Sequence, residues 1–245
     1  MKPPRIFPIV IVPFAWGAAL SGSSVGAVVM DQIGDASAYD FGAPPTISQI
    51  FTDNPSWNCM VIDDFTVDAS ELQITRVSGL LWAQFGFDKF QNVDSYQLSI
   101  FSTPSMAAAN LSGDVRSLIV YAGSGASVTQ VNGGDYGLVS LNVNLSLLSA
   151  GTYWVGISPV AADSIAGRFF VQNSGTQGAV TPGNLNGAIA NPDDGLGYGV
   201  LNVLNVDHAY SVTAVPEPAA ITLWIIGSCG WLCRRQRARP AADKS

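Results

Sequence analysis

From Leu138 to Leu148 the chain reads LVSLNVNLSLL. Val139, Leu141, Val143, Leu145 and Leu147 fall at every second position, with Ser140, Asn142, Asn144 and Ser146 between them. A strand sends alternate side chains to opposite faces, so a strict period of two buries one side and wets the other only as β-structure. The same alternation places Tyr96, Leu98 and Ile100 on one face of SYQLSIFS (95–102), and Tyr153, Val155 and Ile157 on one face of GTYWVGISPV (151–160). In LQITRVSGLLWAQFGF (72–87), Leu72, Ile74 and Arg76 oppose Gln73, Thr75 and Val77. The pattern slips near Gly79, where a bulge or bend is expected. Turn-forming stretches such as GAPP, DNPS, NGGDYG and NPDDGLGYG punctuate these runs. No stretch of the body keeps a helical period; SMAAANL (105–111) has room for one short turn. These features predict an all-β body, a single jelly-roll-like β-sandwich.

Charge narrows what that body can bind. Only 12% of the 245 residues are charged, about half the usual share. Between Asp31 and Val215 there are 16 acidic residues and four basic ones, Arg76, Lys89, Arg116 and Arg168, a balance of −12. Phosphate backbones need clustered Lys and Arg, so nucleic acid is not an expected partner. Cys59 is the single cysteine of the body, which excludes an internal disulfide framework. Without basic neighbours in sequence it reads as a small buried hydrophobe.

The two ends differ from the body. Lys2 and Arg5, the apolar run IFPIVIVPFAWGAAL and the small-residue stretch SGSSVGA compose a secretory signal peptide, residues 1–27, with cleavage expected after Ala27. The exported domain then spans 28–214. Near the other end, Ala219 to Cys233 is apolar; as a helix it would rise about 22 Å. That is short for a ~30 Å hydrocarbon core, but thinning of the bilayer and snorkelling arginines allow a short transmembrane helix. Arg234, Arg235, Arg237 and Arg239 follow and hold that end in the cytoplasm. Both ends thus place the body outside the inner membrane. Pro216 and Pro218 keep a helix from running back into the body, so an extended, accessible hinge is expected there.

Val215, Pro216, Glu217 and Pro218, followed by the apolar run with Trp224 and Trp231 and then the arginines, resemble the PEP-CTERM sorting signal of Gram-negative bacteria. The resemblance covers about the last 25 residues, 215–239. It implies processing near the motif by a membrane-embedded exosortase, with transient residence in the inner membrane. Delivery to the cell surface or extracellular polysaccharide matrix would follow. The stretches DDFTVD, LQITRVSG, LSIFS and LSAGTYWVGISPV, in that order, also look like the exported β-sandwich often found upstream of such tails. That second resemblance implies a fold and no activity. The expected role is structural or adhesive; the alternative is a carbohydrate-binding module for the matrix polysaccharide.

Chemistry-bearing residues are sparse. His208 is the only histidine, and neighbouring strand residues face opposite ways, so Asp207–His208 is not a dyad and His208 is expected on a strand surface. One histidine and one body cysteine cannot fill a zinc site. No G-x-S-x-G elbow is present, and no enzyme activity or cofactor is expected. Asp63–Asp64 and Asp193–Asp194 are expected in solvated turns; Asp193 and Asp194 are weak calcium candidates, because paired carboxylates in loops suit that ion. Trp57, Trp82, Tyr136 and Tyr198, with Phe85 and Phe87, lie near turns or on mixed strands. They are candidates for an aromatic face that stacks on sugar rings, against the plainer reading that they fill the core. Asn110-Leu111-Ser112 and Asn144-Leu145-Ser146 match glycosylation sequons of low specificity.

Overall fold

The computed structural model describes residues 27–36, 45–67, 72–131, 133–146, 149–174 and 184–216. In chain order the elements are β1 (Ala27–Asp31), β2 (Thr46–Ile47), β3 (Ile50–Phe51), β4 (Met60–Val67), β5 (Leu72–Ala83), β6 (Ser95–Phe101) and the helical turn α1 (Pro104–Ala109). There follow β7 (Arg116–Ala122), β8 (Gly125–Val131), β9 (Tyr136–Ser146), β10 (Gly151–Ala161), the short helix α2 (Asp163–Ala166) and β11 (Phe169–Val171). The described chain closes with β12 (Ala188–Ala190), β13 (Leu201–Val203) and β14 (Tyr210–Pro216). The body is all-β, as its alternation demands.

The strands form one continuous sheet in the order β1-β14-β5-β9-β8-β7-β6-β10-β4-β12-β13, curled so that its two halves face each other. Almost every pairing is antiparallel. The halves join where Tyr121 and Ala122 of β7 run parallel to Gly125 and Ala126 of β8. The inward sets of both halves meet in one core. Ile74, Val77 and Leu81 of β5, Val139 and Leu141 of β9 and Val212 of β14 face Phe65 of β4, Leu98 and Ile100 of β6, and Val155 and Ile157 of β10. Tyr210 crosses this core: its hydroxyl donates to the Val61 carbonyl at 2.9 Å and accepts from the Ile157 amide at 3.4 Å.

The alternation expected in β6, β9 and β10 is present. Tyr96, Leu98 and Ile100 are buried, as are Val139 and Leu141, and Val155 and Ile157. The β5 reading needs a correction. Its register against β14 shifts there: Ile74 and Arg76 stand opposite the adjacent Ala214 and Thr213, so Thr75 is the extra residue and the bulge lies at Thr75 and not at Gly79. One extra residue there turns Val77, Leu81 and Ala83 inward after Ile74 and leaves Arg76 exposed. Gly79 serves Tyr210 instead: a Cβ at that position would meet the tyrosine ring at 3.0 Å. The turn in 105–111 is α1, with Pro104 in its first turn and the Thr103 hydroxyl accepting from the Met106 amide.

A second, smaller cluster lies on the outer face of the β6–β10–β4 half. There α1 and β12 lay Ala107, Leu111, Ala188 and Ala190 over Met60, Ile62 and Phe101. β10 must let Met60 cross close to its backbone, which is why position 156 is glycine: a Cβ there would meet Met60 Sδ at 2.6 Å.

Candidate functional site

Three places were open to function from the sequence: the end expected to carry a sorting motif, the aromatic residues and the acidic pairs. The structure positions the aromatics and the acidic pairs, and the first two residues of the expected motif.

β14 runs between β1 and β5, and Val215 and Pro216 still belong to it, opposite Gln73 and Leu72. The strand therefore reaches into the motif, and the first two motif residues lie in the sheet rather than in a free hinge. Ala27 stands opposite Ala214 in the antiparallel β1–β14 pair. The first and last described residues of the body thus share one end of the curled sheet. From there β5 runs 12 residues, about 40 Å, to the far end at Ala83. Residues 1–26 of the expected signal peptide, Glu217, Pro218, the apolar run and Arg234, Arg235, Arg237 and Arg239 lie outside the described residues. Among the described residues no helix is long and apolar enough to cross a membrane.

Of the nominated aromatics, two are brought side by side. Trp82 of β5 is paired in register with Tyr136 of β9 on one flank and Phe170 of β11 on the other. The Trp82 and Phe170 rings pack at 5.0 Å, inclined by 49°. Trp57 lies in the neighbouring cluster that also contains Phe170, edge-on to Phe51 at 5.9 Å and beneath the Arg168 guanidinium at 5.2 Å. Trp57, Trp82, Tyr136 and Phe170 are half-buried, and the inclined rings do not make a flat face. Tyr198 is half exposed on the separate loop between β12 and β13. Phe85 stands alone at the far end, 71% exposed and at φ +74°, a left-handed conformation that costs a bulky residue energy. Gly167 makes room for its ring, since a Cβ there would lie 2.9 Å from Phe85 Cδ2.

The two acidic pairs separate in character. Asp63 and Asp64 are not in a turn. They lie within β4, and Asp63 is completely buried on the inward face between Val61 and Phe65. Its carboxyl accepts from the Asp64 amide at 2.8 Å and from the His208 amide, and Gln32, with its side-chain nitrogen turned inward, donates to it at 2.9 Å. These backbone donors are what allow a carboxyl there. Desolvation nevertheless pushes Asp63 up to about 8, against the hydrogen bonds to His208 and Asp64 that lower it.

His208 is also misplaced by sequence reasoning. It is fully buried rather than on a strand surface, because the 184–207 segment folds over it. Its ring lies against the backbone of Gly187, where a Cβ would be 2.6 Å away. Neither ring nitrogen has a hydrogen-bond partner, and burial lowers its pKa to about 3, so the imidazole is neutral. Asp207 turns away from it and accepts from the Asn184 and Leu185 amides at 3.2 and 2.7 Å. Cys59 is buried, and desolvation raises its thiol to about 12, as the sequence suggested for an inert hydrophobe.

Asp194 is occupied with its own loop, accepting from the Gly199 amide at 2.7 Å. Asp193, exposed beside it, stands at the lip of a cleft of about 240 Å³ on the outer face of the β6 half. Gln97 of β6, Asn58 and Asn110 also line this cleft. Sequence reasoning did not single out Gln97 or Asn58, and had Asn110 only as part of a sequon; amides carry no signal until folding brings them together. Among the described residues no group of three His, Cys, Asp or Glu side chains is arranged to hold a metal ion. No protein-family model matches this chain, and no curated protein matches it either.

Proposed function

We propose that this chain is an exported surface or extracellular-matrix protein with a structural or adhesive role, delivered and trimmed through its C-terminal tail. One observation carries the reading: β1 and β14 are antiparallel neighbours, so both membrane-directed segments leave from one end of the body. A body held at that end extends about 40 Å away from the bilayer. Removal of a signal peptide after Ala27 takes only one residue from β1. We infer further that the curled sheet is a jelly roll. Its halves contain the four-strand orders β1-β14-β5-β9 and β7-β6-β10-β4, which trace two interlocked Greek keys with β8 as an additional strand.

In this reading the signal peptide starts export, the apolar run arrests the chain in the inner membrane, and an exosortase cuts near Val215 to Pro218. Because Val215 and Pro216 are held in the sheet, the accessible bonds lie at or beyond Glu217 unless the end of β14 frays. The test is the C-terminal peptide of the protein in surface and membrane fractions of its host, by mass spectrometry. A terminus at Glu217 or Pro218 is expected, lost when the exosortase is deleted. Replacing Pro216, Glu217 and Pro218 by alanine should trap full-length precursor in the inner membrane; normal release of that variant would sink the proposal.

A further inference from the structure

The cleft beside Asp193 is built from side-chain amides whose orientation is fixed. Asn58 Oδ1 accepts from the Phe51 amide at 2.7 Å, and Asn110 Oδ1 accepts from the Ser112 amide at 2.8 Å. Each is thereby left with its NH2 group free. Gln97 is held the opposite way: its Nε2 donates to the Leu111 carbonyl at 2.7 Å and to Ser99 Oγ at 3.3 Å, which leaves its carbonyl oxygen free. The Asp193 carboxylate has no protein partner among the described residues. The residues lining the cleft therefore carry two unused donor groups, on Asn58 and Asn110, and two unused acceptors, on Gln97 and Asp193. Ile50, Leu111 and Pro192 supply apolar surface between them.

We infer that this cleft binds one unit of a neutral sugar. A sugar hydroxyl both donates and accepts, so neighbouring hydroxyls on one ring match a set of adjacent amide donors and carbonyl or carboxylate acceptors. The ring's C–H faces need the apolar wall, and pockets of this kind combine apolar lining with a few fixed polar groups. About 240 Å³ accommodates a single ring. Charge selects within the class. Asp193 stands at the entrance of a body whose balance is −12, so uronic acids and sulfated sugars are repelled. The site is distinct from the aromatic row of Trp82 and Phe170, whose inclined rings are packed on each other. The proposal does not rest on the sorting reading, since a protein kept in the membrane by an uncut tail would bind the same sugar.

The test uses the full chain, in a detergent without a sugar headgroup, with the side-chain amide signals of Asn58 and Asn110 followed by NMR. Glucose, galactose, mannose and N-acetylglucosamine are titrated separately, with glucuronate as the acidic probe. One or more neutral sugars should shift both signals saturably, with Kd on the order of 1 mM, the strength of a few hydrogen bonds in an open site. Asp193→Ala removes an exposed group that supports nothing else. It should weaken binding about tenfold, the equivalent of ~1.4 kcal/mol, without moving Tm. Ser112→Trp should fill the cleft and abolish binding. The inference is overturned by the absence of a saturable shift with every neutral sugar. It is also overturned by binding that Asp193→Ala and Ser112→Trp leave intact, or by shifts confined to Trp82 and Phe170. Glucuronate binding as tightly as the neutral sugars would refute the charge selection.

Discussion

Two buried groups of opposite sense, Asp63 and His208, set how stability should vary with pH. Asp63 titrates near 8 in the fold against an ordinary 3.8. Its folded value is the higher one, so the stability it contributes is whole below about pH 4 and is lost as pH rises to 8. His208 titrates near 3 against an ordinary 6.5. Its folded value is the lower one, so its contribution is whole above pH 6.5 and is lost as pH falls toward 3. Between about pH 4 and 6.5 the two slopes oppose and stability is level. Between pH 6.5 and 8 only Asp63 acts, because the Cys59 thiol begins to count only near its ordinary 9.0 and His208 is the sole histidine. One pH unit is worth about 1.36 kcal/mol per proton, so unfolding free energy should fall by about 2 kcal/mol from pH 6.5 to 8. Asp63→Asn keeps the shape and removes the proton equilibrium. Its NH2 must face the amide of Asp64 or of His208, at a cost of about 1–3 kcal/mol at pH 5. The variant should then be flat from pH 6.5 to 8. Urea unfolding followed by tryptophan fluorescence, in half-unit steps of pH, measures both curves. A wild-type curve without the alkaline decline, or a decline that persists in Asp63→Asn, would show that this carboxyl is not what titrates.

Other substitutions test the packing. Tyr210→Phe should cost about 1–3 kcal/mol, because the Val61 carbonyl and Ile157 amide lose their partner inside the core. Tyr96→Phe should be neutral or stabilising in the same denaturation assay, since the Tyr96 hydroxyl is buried without a partner; equal losses for both tyrosines would contradict the assignment. Gly156→Ala should destabilise by about 1–3 kcal/mol by forcing Met60 and the Val61 carbonyl away from β10. Phe85→Gly should raise Tm or leave it unchanged, relieving about 1 kcal/mol of left-handed strain at little loss of burial; a clear fall in Tm would mean that the exposed ring supports the loop.

Alternation made β6, β9 and β10 legible because their inward positions are apolar and most of the residues between them are small or polar, Phe101 and Trp154 on the outer face being exceptions. In β5 the slip comes at Thr75, ahead of Gly79. A bulge at Thr75 has no residue signature of its own, whereas Gly79 has one and serves a different purpose, contact with Tyr210. Asp63 held a usable signal. It occupies the inward register of Val61, Phe65 and Val67, so a strand through it requires a buried carboxyl with donors around it. Those donors come from residues 32, 64 and 208, and such long-range closure is not written in local spacing. The burial of His208 is hidden for a related reason: Gly187, which covers its ring, lies upstream in a segment whose path back over the strand local spacing does not state. The cleft was illegible, since Asn58, Gln97 and Asn110 are ordinary surface amides until β6 and two loops assemble them.

The position of β14 has a mechanical consequence. It is flanked on both sides, by β1 and by β5, and its last residues lead directly to the tail. A pull applied at Pro216 and resisted at the opposite end acts along the strand axis. Both hydrogen-bond ladders are then loaded in shear, all rungs at once, instead of being unzipped one rung after another. A chain tethered there while its far end grips a matrix would transmit drag through both ladders along residues 211–214.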